Sequence, residues 1–249
     1  MGHFFDVLDG GPVRVELRSV DGRAFRLLRP VGYRSDDHPE PFEVPRDLET
    51  FRTDLASVPA VFTWLIPRTG DFLPAAVLHD GLVDGQFRGP RIDRFEADRV
   101  FRVAMAELGT GRVRSWLMWS AVTMGSMWVG RRLVDRLALV LLLGAVVALG
   151  TVATLDLVDV LDVLPWMGRA SLGRELVGGA VAAAVIPAVL ALLWGRRWVA
   201  GAVVGVALAF LLHVTAAIAL VTGLYLLLER LVSGPRRPRP ATEATILLS

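Results

Sequence analysis

The stretch LALVLLLGAVVALGTVATL, residues 137–155, runs nineteen residues without a charge. A bilayer core of about 30 Å needs roughly 20 apolar residues at a 1.5 Å rise. Two further runs follow. Leu176–Trp194 is closed by Gly195-Arg196-Arg197, and Trp198–Leu228 carries Trp198 and Tyr225 near its ends, where amphipathic rings prefer to sit. One uncharged run is compatible with a buried core helix, but three in succession describe a membrane region. The sequence therefore predicts an integral membrane protein, with residues 133–232 as a transmembrane region of about three helices (spans about 137–155, 176–194 and 198–228). The lipid bilayer is its expected partner.

The charges divide the chain at the same place. Residues 1–136 carry 19 Arg and 19 acids, and residues 137–249 carry 8 Arg and 6 acids. The first part has the balanced surface of a soluble domain, and the second does not. The chain has no Cys, which excludes a disulfide scaffold, a thiolate metal site and a cysteine nucleophile. A net charge of +2 gives no basis for nucleic-acid binding. The N-terminus lacks the basic and apolar segments of a signal peptide.

Basic flanks stay cytoplasmic. Arg131, Arg132 and Arg136 therefore predict a cytoplasmic soluble domain, in the inner membrane of a bacterium. The loop from Asp156 to Glu175 holds four acids against Arg169 and Arg174 and suits the outside. Arg236, Arg237 and Arg239 disagree with an odd number of spans. At 31 residues, Trp198–Leu228 is either one tilted span or a re-entrant hairpin near Gly205 to Thr215, and the single span is the favoured reading. Residues 233–249 read as a disordered tail. Gly178-Gly179 and the alanines beside them allow close helix packing and self-association through small-residue faces. His213 is an intramembrane ionisable group, which is by default a functional suspect; the plainer reading is a neutral imidazole bonded to a neighbouring helix backbone or to Thr215. Asp156, Asp159 and Asp162 recur every three residues, as a cation cluster or, more plainly, a solvated helix face.

Residues 1–132 read as α+β: two or three strands, then about four helices. Val13, Val15 and Leu17 alternate with polar residues as in a half-buried strand. Asp21-Gly22 is a hairpin turn leading to a return strand over Ala24–Val31. Helices are expected at Val58–Ile66, Pro74–Val83, Asp93–Leu108 and Val113–Gly130. Asp93 with Glu96 forms a capping-box pattern, and Gly109 is the stop. The last helix is apolar enough to lie against a membrane surface.

Two features carry the types of residue that do chemistry. One is the loop Phe51-Arg52-Thr53-Asp54-Leu55-Ala56-Ser57-Val58-Pro59; the other is His79-Asp80 on an apolar helix, with Asp98 on the next. Asp98 sits at the edge of its helix's apolar stripe. If the two helices pack antiparallel, it accepts a hydrogen bond from His79, which fixes the tautomer and raises the basicity of the other ring nitrogen. Asp80 and Asp54 are carboxylates suited to a hard divalent cation, and Thr53 and Ser57 would line the site. The structural alternative is a core His79–Asp98 pair with Asp80 on the surface.

Phe51 through Met105 resembles an uncharacterised family of bacterial and phage proteins, domain-of-unknown-function family 1353. The residues carrying the likeness are Phe51, Thr53, Asp54, Ala56, Ser57 and Pro59; Ala75, Ala76, His79 and Asp80; and Ala97, Asp98, Phe101, Ala104 and Met105. The likeness covers roughly Val13 to Trp128 and leaves the membrane half unassigned. The arrangement is also similar, more loosely, to the phospholipase A2 catalytic core. That similarity implies His79 activating water, Asp80 holding calcium and Asp98 orienting His79. The chain departs from that core at Val83, where a Tyr is usual, and lacks its glycine-rich loop and disulfides.

Two functions follow as expectations. One is a membrane-anchored, metal-assisted hydrolase acting at the membrane surface with His79 and Asp98 as catalytic residues. The other is a non-catalytic interaction or phage-derived scaffold module tethered by its tail.

Overall fold

A computed structural model describes residues 2–20, 24–55, 62–63, 65–67, 69–167, 171–233 and 245–248. The chain divides into two compact units, one of residues 1–118 with 225–249 and one of residues 119–224.

The first unit opens with five strands: β1 (His3–Asp6), β2 (Val15–Ser19), β3 (Phe25–Leu27), β4 (Val31–Arg34) and β5 (Phe42–Val44). Strands then helices is the expected order, with more strands than expected. β4 lies between β1 and β5 in one antiparallel sheet, and β2 pairs with β3 in another. β2 buries Val15 and Leu17 on one face, which is the alternation read in the sequence. The hairpin turn at Asp21-Gly22, Ser57, Pro59 and most of the expected Val58–Ile66 helix lie outside the described residues.

Two helices follow, α1 (Leu73–Val83) and α2 (Arg94–Glu107). Pro74 sits in the first turn of α1, where its missing N–H is no loss. The Asp93 side chain accepts from the Glu96 N–H at 2.8 Å to start α2, and Gly109 ends the segment at φ +80°, a value glycine adopts without strain. The core joins Tyr33, Phe42 and Val44 of the sheet to Phe72, Leu78 and Met105. Tyr33 also donates its hydroxyl to Glu107 at 2.8 Å, tying β4 to α2.

α1 comes unusually close to β5. A Cβ on Gly81 would stand 2.2 Å from Val44 Cγ1, so only glycine permits the approach. Gly81→Ala should destabilise the unit by roughly 1–3 kcal/mol, measured by thermal melting, despite alanine's better helix propensity. Unchanged melting would contradict this packing.

α3 (Arg112–Val129) runs from the first unit into the second, which continues with α4 (Leu133–Leu157), α5 (Leu172–Leu190), a 3-10 turn (Ala191–Arg197) and α6 (Trp198–Ser233). Leu133–Leu157 and Leu172–Val232 are long and apolar enough to cross a membrane. α6 is helical throughout, and no hairpin interrupts Gly205 to Thr215. Gly195, at φ 59° and ψ −123°, turns the chain between α5 and α6. Arg197 pairs with Asp135 at 3.1 Å and the Trp194 indole donates to the Ala138 carbonyl, so the turn is held at the start of α4. α6 then follows α4 in the same direction, with Leu212 against Gly150 and His213 Nε2 2.5 Å from Thr154 Oγ1. The partner of His213 is thus Thr154 rather than Thr215.

Asp156 accepts the backbone N–H groups of Val163 and Leu164 at 2.9 and 3.0 Å. That assigns Asp156 to shaping the loop after α4 rather than to a cation cluster or a solvated face. Strand β6 (Thr245–Leu248) pairs antiparallel with β2, Val15 facing Leu248. The sequence suggested disorder there because the run is short and follows a Pro- and Arg-rich stretch; an edge strand offers it backbone partners that no local pattern reveals.

Candidate functional site

The site is built where α1 and α2 pack antiparallel. The register is visible at two points: Arg94 donates to the Val83 carbonyl at 3.1 Å, and His79 faces Asp98. Both His79 and Asp98 project from apolar helix surfaces, so both are buried, with relative exposures of 9% and 1%. His79 Nε2 lies 2.8 Å from Asp98 Oδ1. An ionised carboxylate only accepts, so Nε2 carries the proton, and in the neutral ring Nδ1 is the basic nitrogen. The Phe101 ring, one turn beyond Asp98, lies tilted against the imidazole with 4.9 Å between ring centres. Its spacing marked it only as core; its second role, as the wall of the imidazole slot, has no sequence signal of its own. Asp98 Oδ2 is buried without a partner among the described residues.

Asp80 leaves α1 beside this pair and meets the loop at Thr53. The loop is anchored to β3 by Phe25, through hydrogen bonds of 2.8 and 3.0 Å between the two backbones. The Leu55 N–H donates to Thr53 Oγ1 at 2.9 Å, and the hydroxyl lies 2.5 Å from Asp80 Oδ2. With its oxygen accepting from Leu55, Thr53 directs its own O–H to the carboxyl. Leu55 holds φ 73°, a conformation that non-glycine residues adopt at a cost and that clusters at functional sites. Asp54 is exposed.

Burial pushes the Asp80 carboxyl up from 3.8 to about 7. The Thr53 hydrogen bond and His79 oppose the shift, and the charges of Asp54 and Asp84 add to it. Asp80 therefore exchanges its proton near neutrality, which is the property a group needs to work as an acid at that pH.

The structure joins His79 to Asp98 and Asp80 to Thr53 as two hydrogen-bonded pairs carried by adjacent positions of α1. Asp54 stands close enough to influence Asp80 by charge, and Ser57 lies outside the described residues. The calcium implied by the phospholipase likeness does not fit these groups. Calcium takes six to eight oxygens, whereas Asp80 offers one carboxyl with an oxygen already held by Thr53. Among the described residues, no three His, Asp or Glu are gathered to hold a metal.

Residues 25–122 match DUF1353, a protein family of unknown function. The matched DUF1353 region runs from β3 into α3 and contains every residue of the site, while α4 to α6 lie outside it. No curated protein and no solved structure matches the chain.

Proposed function

We propose that the protein is a membrane-anchored hydrolase in which the DUF1353 region cleaves an ester at the membrane surface. The observation that carries this reading is the buried 2.8 Å contact of His79 with Asp98, next to an acid that titrates near pH 7. Asp98 holds the Nε2 proton, leaving Nδ1 to take a proton from water. The water oxygen attacks the carbonyl carbon, the C–O bond to the leaving group breaks, and the leaving oxygen takes a proton. Asp80, protonated up to about pH 7, is the donor this reading assigns, with its carboxyl held by the Thr53 hydroxyl. Such acid–base steps contribute about 10²–10⁴-fold each. No metal enters the scheme. The two long apolar stretches support a bilayer as the partner and a phospholipid as the substrate class. Release of fatty acid from phospholipid vesicles by the full chain, in the presence of chelator, is the test.

The depth of His79 favours a second reading, since a side chain only 11% exposed suits a core pair in a non-catalytic interaction module. That reading predicts that Asp98→Ala lowers stability while no hydrolysis is found in the wild type.

Arg131, Arg132 and Arg136 support a cytoplasmic N-terminal unit. The pairing of β6 with β2 favours another arrangement, because strands of one sheet share a membrane face and the crossings between them are then even in number. α4, α5 and α6 supply three crossings, and a fourth would have to be α3, which lies outside the two apolar stretches long enough to cross. The chain has no Cys, so Glu40→Cys, Asp162→Cys and Arg196→Cys each report one segment to an impermeant maleimide. The first arrangement expects positions 40 and 196 to label from the same side, and the second expects 40 and 162 to do so.

A further inference from the structure

The second unit contains a cleft of about 430 Å³ between α4, α5 and α6. It exists because the three helices are drawn together at one end only. Near the Gly195 turn, a Cβ on Gly205 would stand 2.9 Å from Pro187 Cβ, so α5 and α6 touch there. Farther along, Gly150, Ala153, Gly179 and Ala183 line the space and are too small to fill it. α6 stays on α4 through the His213–Thr154 hydrogen bond, and the opening lies between it and α5. Trp166 and Glu175 stand at the far end, and Phe210 borders the cleft while being more than half exposed.

The volume falls within the roughly 300–1,000 Å³ of small-molecule sites. From Ala145 to Leu157 the floor is twelve helical rises, about 18 Å. Spread over that length, the space suits an extended chain better than an α-helix of a second copy, which with its side chains is about 10 Å across. The lining is apolar except for Thr154, His213 and Glu175. An apolar space of this kind does not hold water, and leaving it empty forfeits the dispersion contacts of its walls. In a bilayer the material at hand is hydrocarbon.

We infer that the cleft is a binding site for one hydrocarbon chain of a bilayer lipid, entering sideways past Phe210, with its polar end toward Trp166 and Glu175. This rests on the membrane reading of the second unit.

The test uses the full chain in phosphatidylcholine vesicles containing a phosphatidylcholine with a diazirine in its acyl chain. After irradiation, peptide mapping locates the label. Label should concentrate on residues 145–157 and 176–186, and Ala183→Leu, alone or with Gly179→Leu, should reduce it there at least five-fold. Val181, exposed on another face of α5, provides the control: Val181→Leu should leave the labelling unchanged. Label spread evenly over all lipid-facing positions and indifferent to Ala183→Leu would overturn the site, as would cross-links to a second copy through the cleft. An alkaline carbonate wash of the same vesicles separates the two claims. Retained protein with even labelling sinks the site alone, whereas protein released from the vesicles sinks the membrane reading and the site with it.

Discussion

Asp80→Asn should make the N-terminal unit more stable at pH 8 and leave it unchanged at pH 3.5. The carboxyl has its pKa raised on folding from 3.8 to about 7, so the folded state favours its protonated form. Below about pH 4 the proton is present whether the chain is folded or not, and the group contributes nothing. As pH rises from about 4 to 7 the unfolded chain releases the proton first, and stability falls through that window. Above about 7 the full penalty stands, on the order of 4 kcal/mol. Asparagine keeps an oxygen for the Thr53 hydroxyl and has no charge to desolvate. Thermal melting of the full chain in detergent, followed by near-ultraviolet circular dichroism at several pH values, measures the difference. Equal melting of the two proteins at pH 8 would mean that Asp80 is solvated and has an ordinary pKa. A native acid kept at such a cost is what a working site requires, since activity and stability often oppose each other.

His79→Ala should reduce hydrolysis by about 10²–10⁴-fold without preventing folding, because it leaves one accepting carboxylate that water can reach through the vacated space. Asp98→Asn keeps the size of the side chain and removes the charge that orients the imidazole, and should lower the rate by a smaller factor. The two losses should not add, since both act through one imidazole ring. The pH dependence separates Asp80 from this pair. If Asp80 must be protonated to act, the wild-type rate falls as pH rises through about 7, and Asp80→Asn loses that limb along with most of the rate. Steady-state rates between pH 5 and 9 for the three variants give the comparison. A His79→Ala protein with full activity would remove His79 from the chemistry.

Much of the first unit can be read from local pattern. β2 alternates, α2 carries its cap at Asp93 and its stop at Gly109, and His79 and Asp98 sit where antiparallel helices bring them together. The strand, the cap and the stop depend on residues a few positions apart, and the His79–Asp98 contact depends on two helices that follow one another in the chain. What escaped depends on long-range contact. β1 lies in Phe4-Phe5, too short a run to stand apart from an ordinary terminus, and it becomes a strand only because β4 pairs with it. The Thr53–Asp80 hydrogen bond joins positions 27 residues apart, through a backbone bridge to Phe25 that no periodicity announces. Thr53 and Asp80 were both legible as site residues, but not as partners. The desolvation that lifts Asp80 was likewise hidden, because its neighbours Asp54 and Asp84 suggest a wet acidic surface. Close packing of Gly81 on Val44 encloses that part of α1. In the second unit the apolar runs were plain, and the packing of α6 along α4 was not, since uniformly apolar helices carry no face to orient them.

The central claim is that His79, Asp98 and Asp80 form an acid–base site working on lipid esters. Its most direct test is fatty-acid release from phosphatidylcholine vesicles by the purified full-length protein at pH 6.5 in the presence of EDTA, beside the His79→Ala protein prepared in the same way. Release by the wild type and not by the variant is the predicted result; no release by either, or equal release by both, would contradict the account.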